Sequence, residues 1–110
     1  MDIRRKTIRF AQPADAFIAV TGAAHTTVTA VVFDLSESGM RFMCQHELKK
    51  NKDYTVKIIV PISGATVSVI ATIVRKTFDE TFGSFEYGSS FAHMSTNDTA
   101  NLLGILSSPT

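Results

Sequence analysis

The 110-residue chain has no tryptophan, one cysteine, three prolines and almost no net charge, with eleven lysines and arginines against ten acids. Each scarcity excludes something. The single thiol, Cys44, cannot close an internal disulfide, which suits a reducing compartment. A net charge of +1 leaves no long-range field to draw the whole molecule to nucleic acid or to an anionic membrane. No apolar run approaches the roughly 18 residues that cross a bilayer, and no charged-then-apolar leader opens the chain, so a cytoplasmic protein with no membrane partner is expected. The hydrophobic and charged fractions, 45% and 19%, are those of an ordinary globular protein, and this length holds one core and not two.

What is present is a series of short β-patterned runs. Ala16–Gly22 alternates Phe17, Ala19 and Thr21 with Ala16, Ile18 and Val20. Thr26–Leu35 is rich in β-branched residues and apolar on both faces from Val28 to Phe33, which predicts a strand covered on both sides. Met40–Gln45, Tyr54–Val60, Thr66–Lys76 and Ser84–Ala92 follow, separated by turn-forming stretches, with residues 46–53 reading as a solvated loop. In Thr66–Lys76 the inward set is Val67, Val69, Ala71 and Ile73. Six strands with no intervening helix indicate an antiparallel sandwich or barrel. The one helix signal comes last, where Ser95 and Asp98 match a capping box and Leu102, Leu103, Ile105 and Leu106 form a stripe. Such a short helix must dock on the sheet, and the outer face of Thr26–Leu35 is its expected seat. Residues 1–15, polar, basic and broken by Pro13, read as a flexible N-terminal arm, and residues 16–110 as the folded unit.

Two polar clusters stand out. Arg4, Arg5, Lys6 and Arg9 put four of the eleven basic residues into six positions. Asp34-Leu35-Ser36-Glu37-Ser38-Gly39 closes one apolar run and opens the next. Strand alternation sets Asp34 and Ser36 on one face and Phe33 and Leu35 on the other. Gly39 supplies a backbone open to positive φ or to close approach. Together the clusters suggest a small anionic-ligand site. Arginine's planar fork bonds phosphate oxygens or guanine O6 and N7 bidentately and stacks on purines, and a carboxylate accepts from the guanine N1–H and N2–H edge.

An Arg-x-x-x-Arg (Arg5 to Arg9) followed by Asp-x-Ser-x-x-Gly (Asp34 to Gly39), in a six-strand chain with a terminal helix, resembles the PilZ domain family, bacterial receptors for cyclic di-GMP. The Gly88-Ser89-Ser90-Phe91 segment looks like the family's last strand. The resemblance implies an all-β fold, a six-stranded antiparallel barrel with a C-terminal α-helix. It implies a receptor that is not an enzyme, needs no cofactor beyond its ligand cyclic di-GMP, and signals to a protein effector. Arg5 and Arg9 would hold guanine and phosphate, Asp34 and Ser36 a guanine and its surroundings, and Gly39 the turn. Arg4, just before the first motif arginine, would go with binding the ligand as an intercalated dimer. Arg5 and Arg9 span about 13 Å if extended at about 3.3 Å per residue, so a free arm must wrap to bring both onto one ligand.

Other readings compete. An OB-like barrel binding single-stranded nucleic acid also uses arginines and aromatics, but the near-neutral charge opposes it. A family member could keep the fold and lose the ligand, and here both motifs are intact. Ser36, His25, His46 and His93 assemble no nucleophile, base and orienter. Cys44, His46 and His93 lack the spacing of a metal site, so a half-buried thiol near a surface histidine is the simpler account. Phe17, Phe33, Phe42, Phe85 and Phe91 read as core, Phe78 and Phe82 as core or contact surface. Arg41 either joins the site or faces water.

Overall fold

The computed structural model describes residues 7–20, 26–61 and 63–107. Within them run β1 (Thr7–Val20), β2 (Thr26–Ser36), β3 (Gly39–Cys44), β4 (Asp53–Ile59), β5 (Thr66–Asp79), β6 (Ser84–His93) and one helix, α1 (Thr96–Ser107). All neighbouring strands are antiparallel, and the sheet closes on itself in the order β1-β2-β3-β6-β5-β4. This is the six-stranded barrel with a terminal helix that the sequence predicts. Closure leaves no open sheet edge.

Strand alternation fills the interior. In β4, Tyr54, Val56 and Ile58 are buried while Asp53, Thr55 and Lys57 face water, and in β5 the inward set is the expected Val67, Val69, Ala71 and Ile73. Ile18, Val32, Leu35, Phe42 and Tyr87 meet them in the centre, each fully buried. Burying one such side chain stabilises the fold by about 1.5–3 kcal/mol. Of the five phenylalanines expected in the core only Phe42 is fully buried. Phe85 and Phe91 pack against the core from the side, Phe17 and Phe33 are half-exposed, and Phe78 and Phe82 lie at the surface.

Two expectations are corrected. The N-terminal segment is not an arm as far as residue 15. β1 begins at Thr7 and pairs there with β2, Thr7 with Ser36, Ile8 with Leu35 and Arg9 with Asp34. Pro13 does not stop the strand because it falls in a register shift between Arg9 and Ala14, where residues 10–13 stand against Phe33 alone and no ladder donor is needed. Residues 1–6 of the expected arm lie outside the described residues. The helix, second, does not cover β2. It packs on β5, burying Leu102 and Leu106. The outer face of β2 stays open, with Val31 38% exposed and Phe33 lining a groove with Met43 and Phe82.

Asp98 ties the start of the helix to β5. Ser95 caps the first turn by accepting from Asp98 N–H at 3.1 Å and donates its hydroxyl to Asp98 Oδ2 at 2.6 Å. The other carboxylate oxygen accepts Ser68 N–H from β5 at 2.9 Å. These donors, Ser68 foremost, hold the Asp98 carboxyl below its ordinary pKa. The loop after β3 is less solvated than its charges suggest. Leu48 is fully buried, and the Tyr87 hydroxyl pins the loop by accepting Leu48 N–H at 2.6 Å and donating to His46 O at 3.0 Å. Among the described residues no helix is long and apolar enough to cross a membrane.

Tyr87→Phe keeps the ring stacked 5.2 Å from Phe42 but strands the buried Leu48 N–H. Urea unfolding should register a loss of about 1–3 kcal/mol. A lowered pKa means that Asp98 stabilises the fold when ionised, fully so above the unfolded pKa and less as pH falls through the folded one. The melting-point gap between the parent and Asp98→Ala should therefore stay constant from pH 7 to about 5 and narrow below the ordinary aspartate range of about 3.9. A gap that widened in acid would contradict the docking role.

Candidate functional site

The site is built where alternation slips. Ala30 and Val32 point inward on β2, so strict alternation would send Asp34 and Ser36 into the core. Instead Val32 pairs with Phe42 and Asp34 with Arg41, which leaves Phe33 as an extra residue against β3. A bulge of one residue reverses the facing of everything after it. Leu35 therefore fills the interior, fully buried, and Asp34 is turned onto the outer surface with its side chain still only 18% exposed. The predicted common facing of Asp34 and Ser36 holds, while Phe33 does not share the burial of Leu35.

Asp34 is the centre of a charge cluster drawn from four strands. Arg9 of β1 donates from Nε to Asp34 Oδ1 at 3.0 Å. On the other side Arg41 of β3 brings Nε to 2.8 Å from Asp34 Oδ2 and Nη1 to 3.2 Å from Glu86 Oε1 of β6. The contact from Arg41 Nε is an ion pair without an aligned hydrogen bond, because the buried N–H does not point along the line to the oxygen. The two arginines are held differently. The Arg9 side chain is 74% exposed with one partner, whereas Arg41 is 35% exposed and clamped between two carboxylates.

Ser36 is engaged by its own turn. Its hydroxyl oxygen accepts Ser38 N–H at 3.3 Å and Gly39 N–H at 3.2 Å and sits 3.2 Å from Gly39 O, to which it can donate. This is the local use that serine makes of a turn. Gly39 is required by space and not by a positive φ. A Cβ there would fall on the Ser89 carbonyl oxygen of β6 and within 3.2 Å of Ser90 Cα. The turn is bound to β6 besides by Phe91 N–H, which donates to Ser38 O at 2.8 Å.

Of the six residues expected to bind ligand, Arg9, Asp34, Ser36 and Gly39 come together at one end of the β1, β2 and β3 ladder. Arg4 and Arg5 lie outside the described residues. Arg41, left undecided on sequence, belongs to the cluster, and its place two residues past Gly39 on the outward side of β3 was the available signal. Glu86 gave none, since only the β3 and β6 register brings it near. Cys44 is a free, buried thiol whose pKa burial pushes up, and among the described residues no group of three His, Cys, Asp or Glu side chains could hold a metal ion.

A sequence profile described as PilZ domain matches residues 3–108. Among solved structures the chain is similar to YcgR of Escherichia coli in complex with c-di-GMP, at 18% identity and a TM-score of 0.71 over 94% of this chain and 43% of that one. It is similar to the Bacillus subtilis inhibitor of motility MotI/DgrA, at 14% identity and a TM-score of 0.70 over 94% and 49%. A third likeness is to the K. pneumonia MrkH complex with c-di-GMP, at 12% identity and a TM-score of 0.73 over 96% and 51%. At these identities the likeness is one of fold, and the chain spans about half the length of these proteins. No curated protein sequence matches it significantly.

The collision at position 39 is with backbone, which cannot step aside as a side chain does. Gly39→Ala should separate β3 from β6 and lower the unfolding free energy by about 3 kcal/mol, the upper end for overpacking. A urea midpoint equal to that of the parent would show that the two strands tolerate separation.

Proposed function

The chain belongs to the PilZ domain family, and from that premise we propose that it is a non-enzymatic receptor domain for cyclic di-GMP which passes its state to a protein partner. One observation carries the reading. Arg9 and Asp34, 25 positions apart and one from each motif, stand opposite in register and touch at 3.0 Å. The solved relatives YcgR and MrkH, complexed with c-di-GMP, lend it support through their common barrel.

The geometry suggests an exchange. Without ligand, both Asp34 oxygens face guanidinium groups. An exposed ion pair is worth about 0.2–1 kcal/mol, so Arg9 leaves Oδ1 at little cost when a phosphate offers it two oxygens. The vacated oxygen accepts the guanine N1–H and N2–H edge, which adenine does not present in that arrangement. Arg41, gripped from two sides, keeps the carboxylate aimed meanwhile. Ser36 and Gly39 act mainly by shaping the turn against β6, with the serine oxygen at the rim. Arg5 closes over the ligand from residues 1–6, and Arg4 beside it favours a stacked ligand pair.

Charges that close on the ligand would change the surface near the site, which gives strong salt dependence and a signal for a partner. A cytoplasmic location suits the free thiol of Cys44. Which process the partner serves would depend on the longer protein or assembly in which the domain works.

Calorimetric titration with cyclic di-GMP tests the reading. The parent should bind, with two ligands per chain if Arg4 acts as proposed. Arg5→Ala and Arg9→Ala should each remove most binding while stability changes by less than about 1 kcal/mol. Asp34→Ala should bind more weakly and lose preference for the guanine over the adenine cyclic dinucleotide. A parent that binds a short oligonucleotide but no cyclic dinucleotide would overturn the proposal.

A further inference from the structure

The groove on the open outer face of β2 has an apolar floor between acidic sides. Asp15, Val31, Met43 and Glu86 are successive register partners on β1, β2, β3 and β6. All four point away from the core, since the chain neighbours of Asp15, Val31 and Met43 are buried and Tyr87 fills the inward place beside Glu86. With strands about 4.8 Å apart, the backbones that carry the two acids stand about 14 Å apart. Along β2 the floor runs from Thr27 to Phe33, about 20 Å. Phe82, 71% exposed, stands at the end away from Asp34. Asp79 fixes that turn by accepting Thr81 N–H at 2.9 Å and Phe82 N–H at 3.3 Å, so the ring is presented from a firm support. A contiguous apolar strip with a polar rim marks a contact surface, unlike scattered exposed residues.

The charge of the groove is one-sided. The nearby cations are already engaged, Arg9 and Arg41 with Asp34, Arg41 also with Glu86, and Lys76 with Glu47 at 2.6 Å. Among the described residues no lysine or arginine lines the groove, and Asp15 and Glu80, the latter in the turn with Phe82, have no cationic partner. The closed sheet offers no edge to which a strand could be added, so an occupant must be held through side chains. A helix is about 10–12 Å across with its side chains, which fits between the acids, and about 13 residues of it match the floor in length. A second copy facing the groove symmetrically would set acids against acids.

We propose that this groove is the output surface of the domain and docks a partner's amphipathic helix, whose apolar stripe lies on Val31, Phe33, Met43 and Phe82 and whose flanking lysines or arginines meet Asp15 and Glu86. The proposal rests on the receptor reading and names the partner of that same switch. The two surfaces share parts. Phe33 is the extra residue that turns Asp34 outward, and Arg41 joins Asp34 to Glu86. A ligand at Asp34 therefore acts on the floor and on one wall of the groove.

The test titrates the full chain with a synthetic helical peptide of about 18 residues, leucines at i, i+3, i+4 and i+7 spacing and lysines on both flanks, with and without saturating cyclic di-GMP. The parent should bind it, and cyclic di-GMP should change the affinity by about fivefold or more. Val31→Ser and Phe82→Ser should each weaken the peptide by about tenfold, and Asp15→Lys should weaken it as well. These three variants should keep the parent's dinucleotide affinity and thermal midpoint. Asp53→Asn, on β4 outside the groove, should bind the peptide like the parent. Equal binding of a peptide with glutamate for lysine, equal weakening by Asp53→Asn, or an affinity indifferent to cyclic di-GMP would each overturn the proposal. So would a parent that dimerises in sedimentation and is made monomeric by Val31→Ser, which gives the groove to a second copy. A parent that binds the dinucleotide and not the peptide overturns the docking alone. One that binds the peptide and no dinucleotide ends the receptor reading and the output role with it.

Discussion

A sheet of six strands closed on itself has room inside for one set of side chains, so each strand must give every second residue to the interior and the rest to water. That alternation is what the whole molecule obeys. Ile18, Val32, Leu35, Phe42, Val56, Ile58, Val67, Ile73 and Tyr87 are all buried there. An ionised side chain sent inward would meet no compensating partner and would cost several kcal/mol. Charges within the strands therefore need a way out, and at two places it is a bulge. Phe33 in β2 delivers Asp34 to the surface, and Val74 in β5 delivers Arg75. Bulges shift the register of one strand against its neighbours without breaking the barrel, which keeps the delivered side chains on a rigid support.

The electrostatics of the outer face follow. Asp34 lies between Arg9 and Arg41, and Glu86 takes the far side of Arg41. The cluster is neutral as a whole, in keeping with a chain whose net charge is +1. Its members differ in freedom: one arginine is exposed and singly held, the other half-covered and doubly held. A neutral cluster with one loosely attached cation can trade an internal partner for an anionic ligand without leaving a bare charge on either side. That is less costly than opening a buried pair, where the abandoned carboxylate would stay desolvated.

The glycines show the same economy of space. Gly39 lets β3 and its turn approach the Ser89 carbonyl of β6, and Gly88 makes a bed for Arg75. Neither needs a conformation closed to other residues; both need the absence of a Cβ. The expectation that Gly39 admits a close approach is met by the protein's own backbone.

Strand identities, their turns, the capping box at Ser95 and the inward set of β5 were legible in the chain because each depends on neighbours a few residues apart. The closeness of Asp34, Ser36 and Gly39 was legible for the same reason, since they share one turn, and Arg9 joins them only through register. What was not legible depends on pairing. Pro13 looks like a strand breaker until the register shows it in a bulge, so β1 reads too short. The helix stripe says that α1 must dock but not on which strand, and in the fold it lies on β5, where Asp98 reaches Ser68. The apolar outer face of β2 reads as covered, although Val31 stays open. Local sequence thus determined the elements and the chemical character of the site, because alternation, capping and turn chemistry are short-range. Only the closed sheet decided which charges meet, because Arg9, Asp34, Arg41 and Glu86 come together through register between strands distant in the chain.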